Sequence, residues 1–207
     1  MTIPQLEPLG PYQLIRRLGG GGFTEVFLGR DTRPQNYGAP VAIKRLRPGL
    51  IHRDPVFLDS VLCEAEIGML VQDPHVVRIA GVLDEGGEPA IVMEYIQGYR
   101  LDRLIRSTDR RGLPPEAATE IARQICEGLE AIHGVRDSEG EPLWVVHQDI
   151  KPSNLILTRQ GAVKILDLGM ARPQRDDRPA LWVRQGTPGY RSPEQSHGER
   201  VLTPAAD

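Results

Sequence analysis

The most constraining stretch of the sequence runs from His147 to Asn154 and reads His-Gln-Asp-Ile-Lys-Pro-Ser-Asn. Asp149, Lys151 and Asn154 bring a carboxylate, an ammonium group and a carboxamide close together in the chain, and Pro152 prevents a regular helix or strand at that point. Apolar runs flank the segment on both sides, as is typical of buried chain. We interpret the segment as a polar loop suited to chemistry; a solvated turn between two strands is the alternative.

The composition permits an ordinary globular enzyme. The chain of 207 residues is long enough for one large domain or two small lobes, with 40% apolar and 26% charged residues. The net charge of -3 does not indicate nucleic acid or an anionic membrane as the main partner. No apolar run approaches the length of a membrane span, and the N-terminus lacks the pattern of a secretory signal. Cys63 and Cys126 are too few for a disulfide framework or zinc site, so we expect a reducing cytoplasm.

A run of glycines at 19–22 lies between two segments, 12–18 and 23–28, that are predicted to be strands. Glycines at the tip of such a hairpin allow backbone amides to approach a polyphosphate, and Leu18 and Val26 could cover a flat base. A flexible hairpin turn is the alternative for this run alone. A dinucleotide-binding fingerprint fits less well, because that motif requires a helix after the glycines.

Lys44 ends a strand that otherwise reads Val-Ala-Ile. An unpaired ammonium group near a core is costly, so this lysine requires an anionic partner. The helical spacing of apolar residues at 55–71 offers two candidates, Glu64 and Glu66. Because they are two positions apart, they cannot face the same direction on a helix, and at most one reaches Lys44. An ordinary solvated carboxylate is the alternative for each.

The pattern of the sequence changes after Met93. Before it, we predict two short strands at 76–83 and 90–93. Beyond it, apolar residues recur at helical spacing, which predicts a short helix at 101–106 and a longer helix at 114–133. We interpret the change as a boundary between two lobes.

An aspartate and a glycine follow the apolar strand that we predict at 163–166. At the end of a strand, the carboxylate of Asp167 is placed where it can ligate a metal ion. Taken alone, Asp167 and Gly169 are better explained by a tight turn.

These motifs resemble the eukaryotic-type protein kinase family in their order and spacing over nearly the whole chain. The order is glycine hairpin, Val-Ala-Ile-Lys strand, helix glutamate, His-x-Asp-x-Lys-x-x-Asn loop, Asp-x-Gly and Pro-Glu. The resemblance implies an α+β bilobal fold, with an antiparallel β-sheet lobe, an incomplete and mainly helical lobe, and ATP between them. We expect an N-terminal extension at 1–11, the first lobe at 12–93, a hinge at 94–98 and the second lobe at 99–207.

The loop sequence and the later Gly-Thr-Pro-Gly-Tyr look like the serine/threonine branch of that family, because tyrosine kinases usually carry arginine and alanine where Lys151 and Pro152 stand. Heavy use of arginine is similar to bacterial members. The resemblance implies that Asp149 accepts the proton of the substrate hydroxyl and that Lys151 contacts the γ-phosphate. Lys44 would hold the α- and β-phosphates and pair with Glu64, whose position is similar to that of the family's glutamate.

The resemblance also implies the residues that bind the nucleotide and its metal ion. Asn154 and Asp167 would bind Mg²⁺, Glu94 and Ile96 would read the adenine edge, and Met93 would be the gatekeeper. The implied nucleotide-binding residues are Leu18, Gly19, Gly20, Gly21, Gly22, Phe23, Thr24, Val26, Ala42, Lys44, Met93, Glu94, Ile96 and Ile156. Thr24 departs from the family, which usually has a third glycine there.

Gln148 is the most informative departure from the family. Most regulated kinases have an arginine at this position, which pairs with a phosphate on the activation loop, and a neutral glutamine cannot do so. Between Gly169 and Gly186 the sequence contains no serine, threonine or tyrosine. We therefore hypothesise that activity is not controlled by phosphorylation of this loop.

In the family, a large buried helix begins about where Asp207 lies, and an aspartate there is tied to the catalytic loop. We therefore expect the chain to be a fragment of a longer kinase, and to be poorly folded or inactive in isolation. A catalytically silent, nucleotide-binding pseudokinase scaffold is the alternative function, and a purely structural module is a third. We expect protein substrates as partners, no nucleic acid, and no membrane segment within this chain.

Overall fold

A computed structural model describes most of the chain. The described residues are 6–50, 56–109, 112–171, 173, 186–199 and 201–207. Most of the segment for which we predict no phosphorylation control, between Gly169 and Gly186, therefore lies outside the described residues.

The chain separates into two compact units, the first formed by residues 1–65 and 79–95 and the second by residues 66–78 and 96–207. The break after Tyr95 falls inside the hinge expected at 94–98. The segment 66–78, expected in the first lobe, groups with the second unit because its backbone bonds to Ile165: the N–H of Val77 donates to the Ile165 carbonyl at 2.9 Å.

The described part of the first unit contains an antiparallel sheet, as the resemblance implies, and most of a helix whose last residues, from Glu66, group with the second unit. Five strands form the sheet in the order β1-β2-β3-β5-β4. They are β1 Tyr12–Gly20, β2 Thr24–Asp31, β3 Pro40–Leu46, β4 Ile79–Glu85 and β5 Glu88–Glu94, and helix α1 is Val56–Leu70.

Alternation along the strands gives this sheet two apolar faces. On one face, a buried cluster contains Tyr12, Leu14, Phe27, Ile43, Ala90 and Val92. On the other, Leu46, Ile79 and Ile91 pack with Val61 and Ala65 of α1. The sheet therefore holds α1 against the face that also carries Lys44, because Lys44 and Leu46 are two positions apart on β3.

The second unit contains three described helices and a small antiparallel sheet of order β6-β7-β8. Its elements are β6 Gly98–Arg100, α2 Leu101–Ser107, α3 Pro115–His133, β7 Leu155–Thr158, β8 Val163–Ile165 and α4 Pro193–His197. Its most buried side chains include Ile132, Val145, Val146, Ile165 and Leu168. No helix in the described part of the chain is long and apolar enough to cross a membrane.

The structure corrects two details of the sequence prediction. The strand expected at 76–83 begins only at Ile79, because the preceding valines bond to β8 instead. The strand expected to run to residue 166 ends at Ile165, so Asp167 lies beyond it, in the left-handed conformation with φ 65°.

Helix α4 has no apolar periodicity; it begins with a capping box in which Ser192 and Gln195 bond reciprocally.

Candidate active site

A buried ion pair joins β3 to α1 in the first unit. The Nζ atom of Lys44 donates to both carboxylate oxygens of Glu64, at 2.7 Å each. Lys44 is 8% exposed and Glu64 is 4% exposed, whereas Glu66 is exposed on another side of the helix. The two charges are costly to desolvate, and the bidentate geometry offsets that cost. Of the two candidate glutamates, the structure places Glu64 against the lysine.

Apolar candidates for the base-binding surface lie on the same face of the sheet as Lys44. Strand register pairs Val26 with Lys44 and Ala42 with Met93, and paired residues of an antiparallel sheet share a face. Leu18 lies on β1 and Glu94 ends β5. The remaining two candidates, Ile96 and Ile156, belong to the second unit, with Ile156 on β7.

The glycine run forms the tip of the β1–β2 hairpin, as predicted. Gly20 requires glycine, because a Cβ atom there would lie 2.3 Å from the Thr24 carbonyl oxygen and its φ is 145°. A Cβ atom at Gly19, Gly21 or Gly22 would meet nothing within 4 Å, so these positions leave open space beside the backbone.

Two contacts hold this tip to the rest of the first unit. The backbone N–H of Arg47 donates to the Phe23 carbonyl at 2.8 Å, and its Nη2 donates to the Gly21 carbonyl at 3.2 Å. The Phe23 ring lies 5.1 Å from the Phe57 ring of α1, between ring centres. The loop that is predicted to cover phosphates is therefore anchored to the end of β3 and to α1.

In the second unit, the polar loop surrounds one carboxylate. Asp149 is 5% exposed. Its Oδ2 accepts from Lys151 Nζ at 2.5 Å and from Asn154 Nδ2 at 3.0 Å. Its Oδ1 accepts from the backbone N–H of Thr187 at 3.0 Å and from its hydroxyl at 2.7 Å. Four donors therefore converge on the two oxygens of this buried carboxyl group and fix its orientation.

His147 supports the backbone of this loop from inside the unit. Its side chain is fully buried, and its Nδ1 accepts from the Asp149 N–H at 3.2 Å. Its Nε2 then carries the proton and donates to the Leu166 carbonyl at 3.1 Å. The loop that bears Asp149 is thereby connected to the segment that precedes Asp167.

Asp207 binds the loop from the other direction, as expected from the resemblance. Its side chain is 1% exposed. Its two carboxylate oxygens accept from the backbone N–H groups of His147 and Gln148, at 2.7 Å each, and His133 Nε2 lies 2.9 Å from Oδ2. Gln148 has φ 70°, a left-handed conformation that is uncommon for residues other than glycine.

The two candidate metal ligands lie at the same end of the β7–β8 pair. Asn154 directly precedes β7, Asp167 follows β8, and the strands are antiparallel; the Leu166 N–H donates to the Asn154 carbonyl at 2.8 Å. The hydrogen bonds of the Asn154 side chain use Nδ2 and leave its Oδ1 as a possible ligand. No three His, Cys, Asp or Glu residues of the described stretches cluster to hold a metal ion. One carboxylate and one amide oxygen fit Mg²⁺, which keeps several waters and takes phosphate oxygens as ligands.

Three supporting residues were not predicted from the sequence. Thr187 and Gln195 lie far along the chain from the loop that they contact, so no local pattern connects them with it. Gln124 is a buried amide on α3; its Oε1 accepts from the Val163 N–H at 2.7 Å and its Nε2 donates to the Gly161 carbonyl at 3.2 Å. The only sequence signal for Gln124 is its position beside apolar residues of the predicted helix.

Comparison with known proteins identifies the family. The protein kinase domain matches residues 12–207. The tyrosine-protein kinase MasK of Myxococcus xanthus (strain DK1622) is 35% identical over 96% of this chain and 31% of its own length. Serine/threonine-protein kinase A of a Synechocystis strain is 37% identical over 92% of this chain and 37% of its own length. Serine/threonine-protein kinase PknB of Mycobacterium leprae is 34% identical over 92% of this chain and 29% of its own length. The chain thus spans between 29% and 37% of the length of these bacterial relatives.

Proposed function

Because this chain belongs to the protein kinase family, we propose that it transfers the γ-phosphoryl group of ATP to serine and threonine hydroxyls of protein substrates, with Mg²⁺ as the metal ion. The observation that carries the proposal is the Asp149 carboxylate, buried and in contact with Lys151, Asn154 and Thr187. Phosphoryl transfer requires mainly positioning and charge neutralisation, and this group of side chains supplies both.

In the proposed mechanism, Asp149 accepts the proton of the substrate hydroxyl. The hydroxyl oxygen forms its bond to phosphorus while the bond between phosphorus and the departing diphosphate oxygen breaks. Lys151 neutralises charge on the transferred group, and Asn154 and Asp167 would hold Mg²⁺. When bound, the metal ion neutralises charge on the phosphate oxygens.

In the first unit, Lys44 is proposed to bind the α- and β-phosphates. Glu64 orients its ammonium group through the two bonds of 2.7 Å. The backbone amides of residues 19–24 would contact phosphate oxygens, and the open space beside the glycines supports that assignment. Leu18, Val26, Ala42 and Ile156 are proposed to contact the faces of the base. Met93 is the proposed gatekeeper, and Glu94 and Ile96 bind the adenine edge.

A preference for serine and threonine over tyrosine is supported by the Lys151 side chain. Its Nζ lies 2.5 Å from the Thr187 hydroxyl oxygen, so the lysine that resembles the serine/threonine branch also contacts the threonine of Gly-Thr-Pro-Gly-Tyr. The name of MasK makes a tyrosine acceptor the specific alternative. Phosphate transfer to serine, threonine and tyrosine acceptors, compared directly, distinguishes these two specificities.

Independence from activation-loop phosphorylation is also part of the proposal. Gln148 cannot pair with a phosphate as an arginine does, and the sequence between Gly169 and Gly186 has no acceptor hydroxyl. Thr187 is the next hydroxyl, and its Oγ1 already contacts Asp149 and Lys151. We expect phosphatase treatment to leave the activity unchanged. If removing a phosphate from Thr187 reversibly abolished the activity, the proposed independence from phosphorylation would be wrong.

The test of the function measures Mg²⁺-dependent transfer of labelled phosphate from ATP to three peptides that differ only in a serine, threonine or tyrosine acceptor. We expect transfer to serine and threonine, and a decrease of about 10²- to 10⁴-fold in the Asp149→Asn variant. Transfer to tyrosine alone would overturn the specificity. A nucleotide-induced thermal shift without transfer would indicate the pseudokinase. If the chain shows neither a thermal shift nor transfer, the proposal as a whole is refuted.

We further propose a cytoplasmic location. Cys63 is buried and Cys126 is exposed, and neither forms a disulfide bond. Free cysteines are typical of a reducing compartment. To test the location, a fluorescently tagged chain is expressed in a bacterium. The fluorescence of the cytoplasmic and exported fractions is then compared.

A further inference from the structure

Gln148 adopts a conformation that requires support from its surroundings. Gln148 has φ 70°, in the left-handed region, which is strained for a residue other than glycine. Such a residue persists where neighbouring contacts determine its conformation. Because Gln148 directly precedes Asp149, its backbone conformation sets the direction in which the Asp149 carboxylate points.

Both backbone groups of Gln148 are held by buried side chains. Its N–H donates to Asp207 Oδ1 at 2.7 Å, and its carbonyl accepts from Gln195 Nε2 at 2.8 Å. Gln195 is 4% exposed and lies in α4, 47 residues further along the chain. The carbonyl contact therefore connects the catalytic loop to the chain segment that follows the proposed activation loop.

Gln195 uses both ends of its amide group. Its Oε1 accepts from the backbone N–H of Ser192 at 2.9 Å, which completes the capping box of α4, while its Nε2 donates to Gln148. An amide is suited to this position because it offers an acceptor and a donor in fixed geometry. A carboxylate could complete the capping box but could not donate to a carbonyl.

Gly186 allows this contact to form. A Cβ atom there would lie 2.8 Å from the Gln148 carbonyl oxygen and 3.2 Å from Gln195 Nε2. Next to it, Thr187 donates twice to Asp149. Uncharged donors of Thr187 and Gln195 thus join the segment 186–195 to two successive residues of the catalytic loop, and Lys151 adds a contact with the Thr187 hydroxyl.

We propose that Gln195 is a positioning residue, which holds Gln148 and thereby Asp149 in the catalytic conformation without a phosphate. The inference rests on the proposed kinase function and specifies its regulation. In a regulated kinase, a phosphate bound to the arginine before the catalytic aspartate orders these segments. In this chain, a hydrogen bond between an amide and a carbonyl joins the catalytic loop to the segment that follows the activation loop.

The matched variants are Gln195→Glu and Ser192→Ala. Gln195→Glu keeps an acceptor for the α4 capping box but removes the donor to the Gln148 carbonyl. Ser192→Ala removes the side-chain half of the box, in which Ser192 Oγ accepts from the Gln195 N–H at 3.4 Å, and leaves the Gln195 contact with Gln148 in place. A role confined to stabilising α4 predicts the larger effect for Ser192→Ala.

The first measurement is hydrogen–deuterium exchange of the amides of residues 147–151, which needs no catalytic activity. We expect Gln195→Glu to accelerate their exchange about 10-fold, and Ser192→Ala to leave it unchanged. Peptides from the β1–β2 hairpin should exchange at the wild-type rate in both variants. Equal exchange in wild type and Gln195→Glu, or equal acceleration in the two variants, would overturn the proposal even if the chain proves to have no kinase activity.

The second measurement is the kinetics of phosphate transfer. We expect Gln195→Glu to lower kcat about 10-fold and to leave KM for ATP within about 2-fold, because the contact that is lost acts on Asp149. A loss confined to KM would contradict positioning. Absence of transfer by the wild type would refute the proposed function, and the exchange result would still decide the role of Gln195.

Discussion

The two units hold their charged groups in different ways. In the first unit, the Lys44–Glu64 pair joins a strand to a helix, and regular packing of β3 and α1 brings the two side chains together. In the second unit, Asp149 lies in an irregular loop, and side chains from distant parts of the chain hold it, such as Asp207 through the loop's backbone. The pair in the first unit therefore depends on the sheet and helix, whereas the loop depends on individual hydrogen bonds.

The largest effect is expected from breaking the pair in the first unit. Lys44→Met leaves a buried carboxylate and Glu64→Leu leaves a buried ammonium group, and each should destabilise the chain by about 3–5 kcal/mol. The double variant should be more stable than either single variant, because it removes both members of the ion pair. Urea unfolding of the four proteins measures these differences, and all three variants should lose phosphate transfer.

Glu66→Leu is the matched control for this cycle. Glu66 is on the same helix but is exposed, so its replacement should change stability by no more than about 0.5 kcal/mol. If the double variant were destabilised by the sum of the single effects, the pair would not act as a unit. The contrast between a paired, packed first unit and a loop held by individual bonds would then have to be abandoned.

The sequence predicted the first unit well, for a physical reason. Strands and helices repeat their side-chain directions every 2 or 3.6 residues, so a local pattern reveals which residues share a face. The hairpin, the strand that ends at Lys44 and the helix that carries Glu64 all follow from such patterns, and the structure contains each of them. The choice of Glu64 over Glu66 needed the family resemblance in addition.

The second unit was predicted less completely because its loop has no period. The motif from His147 to Asn154 was evident, but its partners Thr187, Gln195 and Asp207 lie 36 to 60 residues away in sequence. A buried histidine such as His147 and a left-handed residue such as Gln148 have no signal in composition. Family resemblance indicated the contact with Asp207, and only the coordinates indicated those with Thr187 and Gln195.

A smaller loss is expected from His147→Leu in the second unit. The substitution removes the acceptor of the Asp149 N–H, which lies in a buried contact, and the donor to the Leu166 carbonyl, which lies in a part-buried one. We expect the free energy of unfolding to fall by about 1–3 kcal/mol, with a decrease in kcat as Asp149 loses support. Urea unfolding and steady-state kinetics measure the two effects.

His197 provides the control, because it is an exposed histidine at the end of α4. His197→Leu should leave both stability and kcat near the wild-type values. Equal behaviour of the two histidine variants would show that the loop does not depend on buried hydrogen bonds of its own.

The smallest effect that we expect is on the stability of the folded chain in acid. We compare one ion pair from each unit. The Arg33 guanidinium, hydrogen-bonded to Asp31, lowers the pKa of that carboxyl group to about 2. In the second unit, Arg123 likewise lowers the pKa of Glu120 to about 2 through a hydrogen bond. The Asp31 side chain is 2% exposed, whereas that of Glu120 is 52% exposed, so water and salt screen the second pair far more.

Since both pKa values are lower in the folded state, the unfolded chain takes up protons first as the pH falls. Each carboxylate therefore contributes stability that is complete above about pH 5 and is lost as the pH falls towards about 2. Arg33→Met should remove much of this pH dependence, and Arg123→Met should remove less because its pair is solvated. The measurement is the shift of the urea midpoint between about pH 5 and about pH 3. If Arg123→Met changed that shift as much as Arg33→Met, burial would not determine how strongly these pairs contribute, and the two units would respond to acid alike.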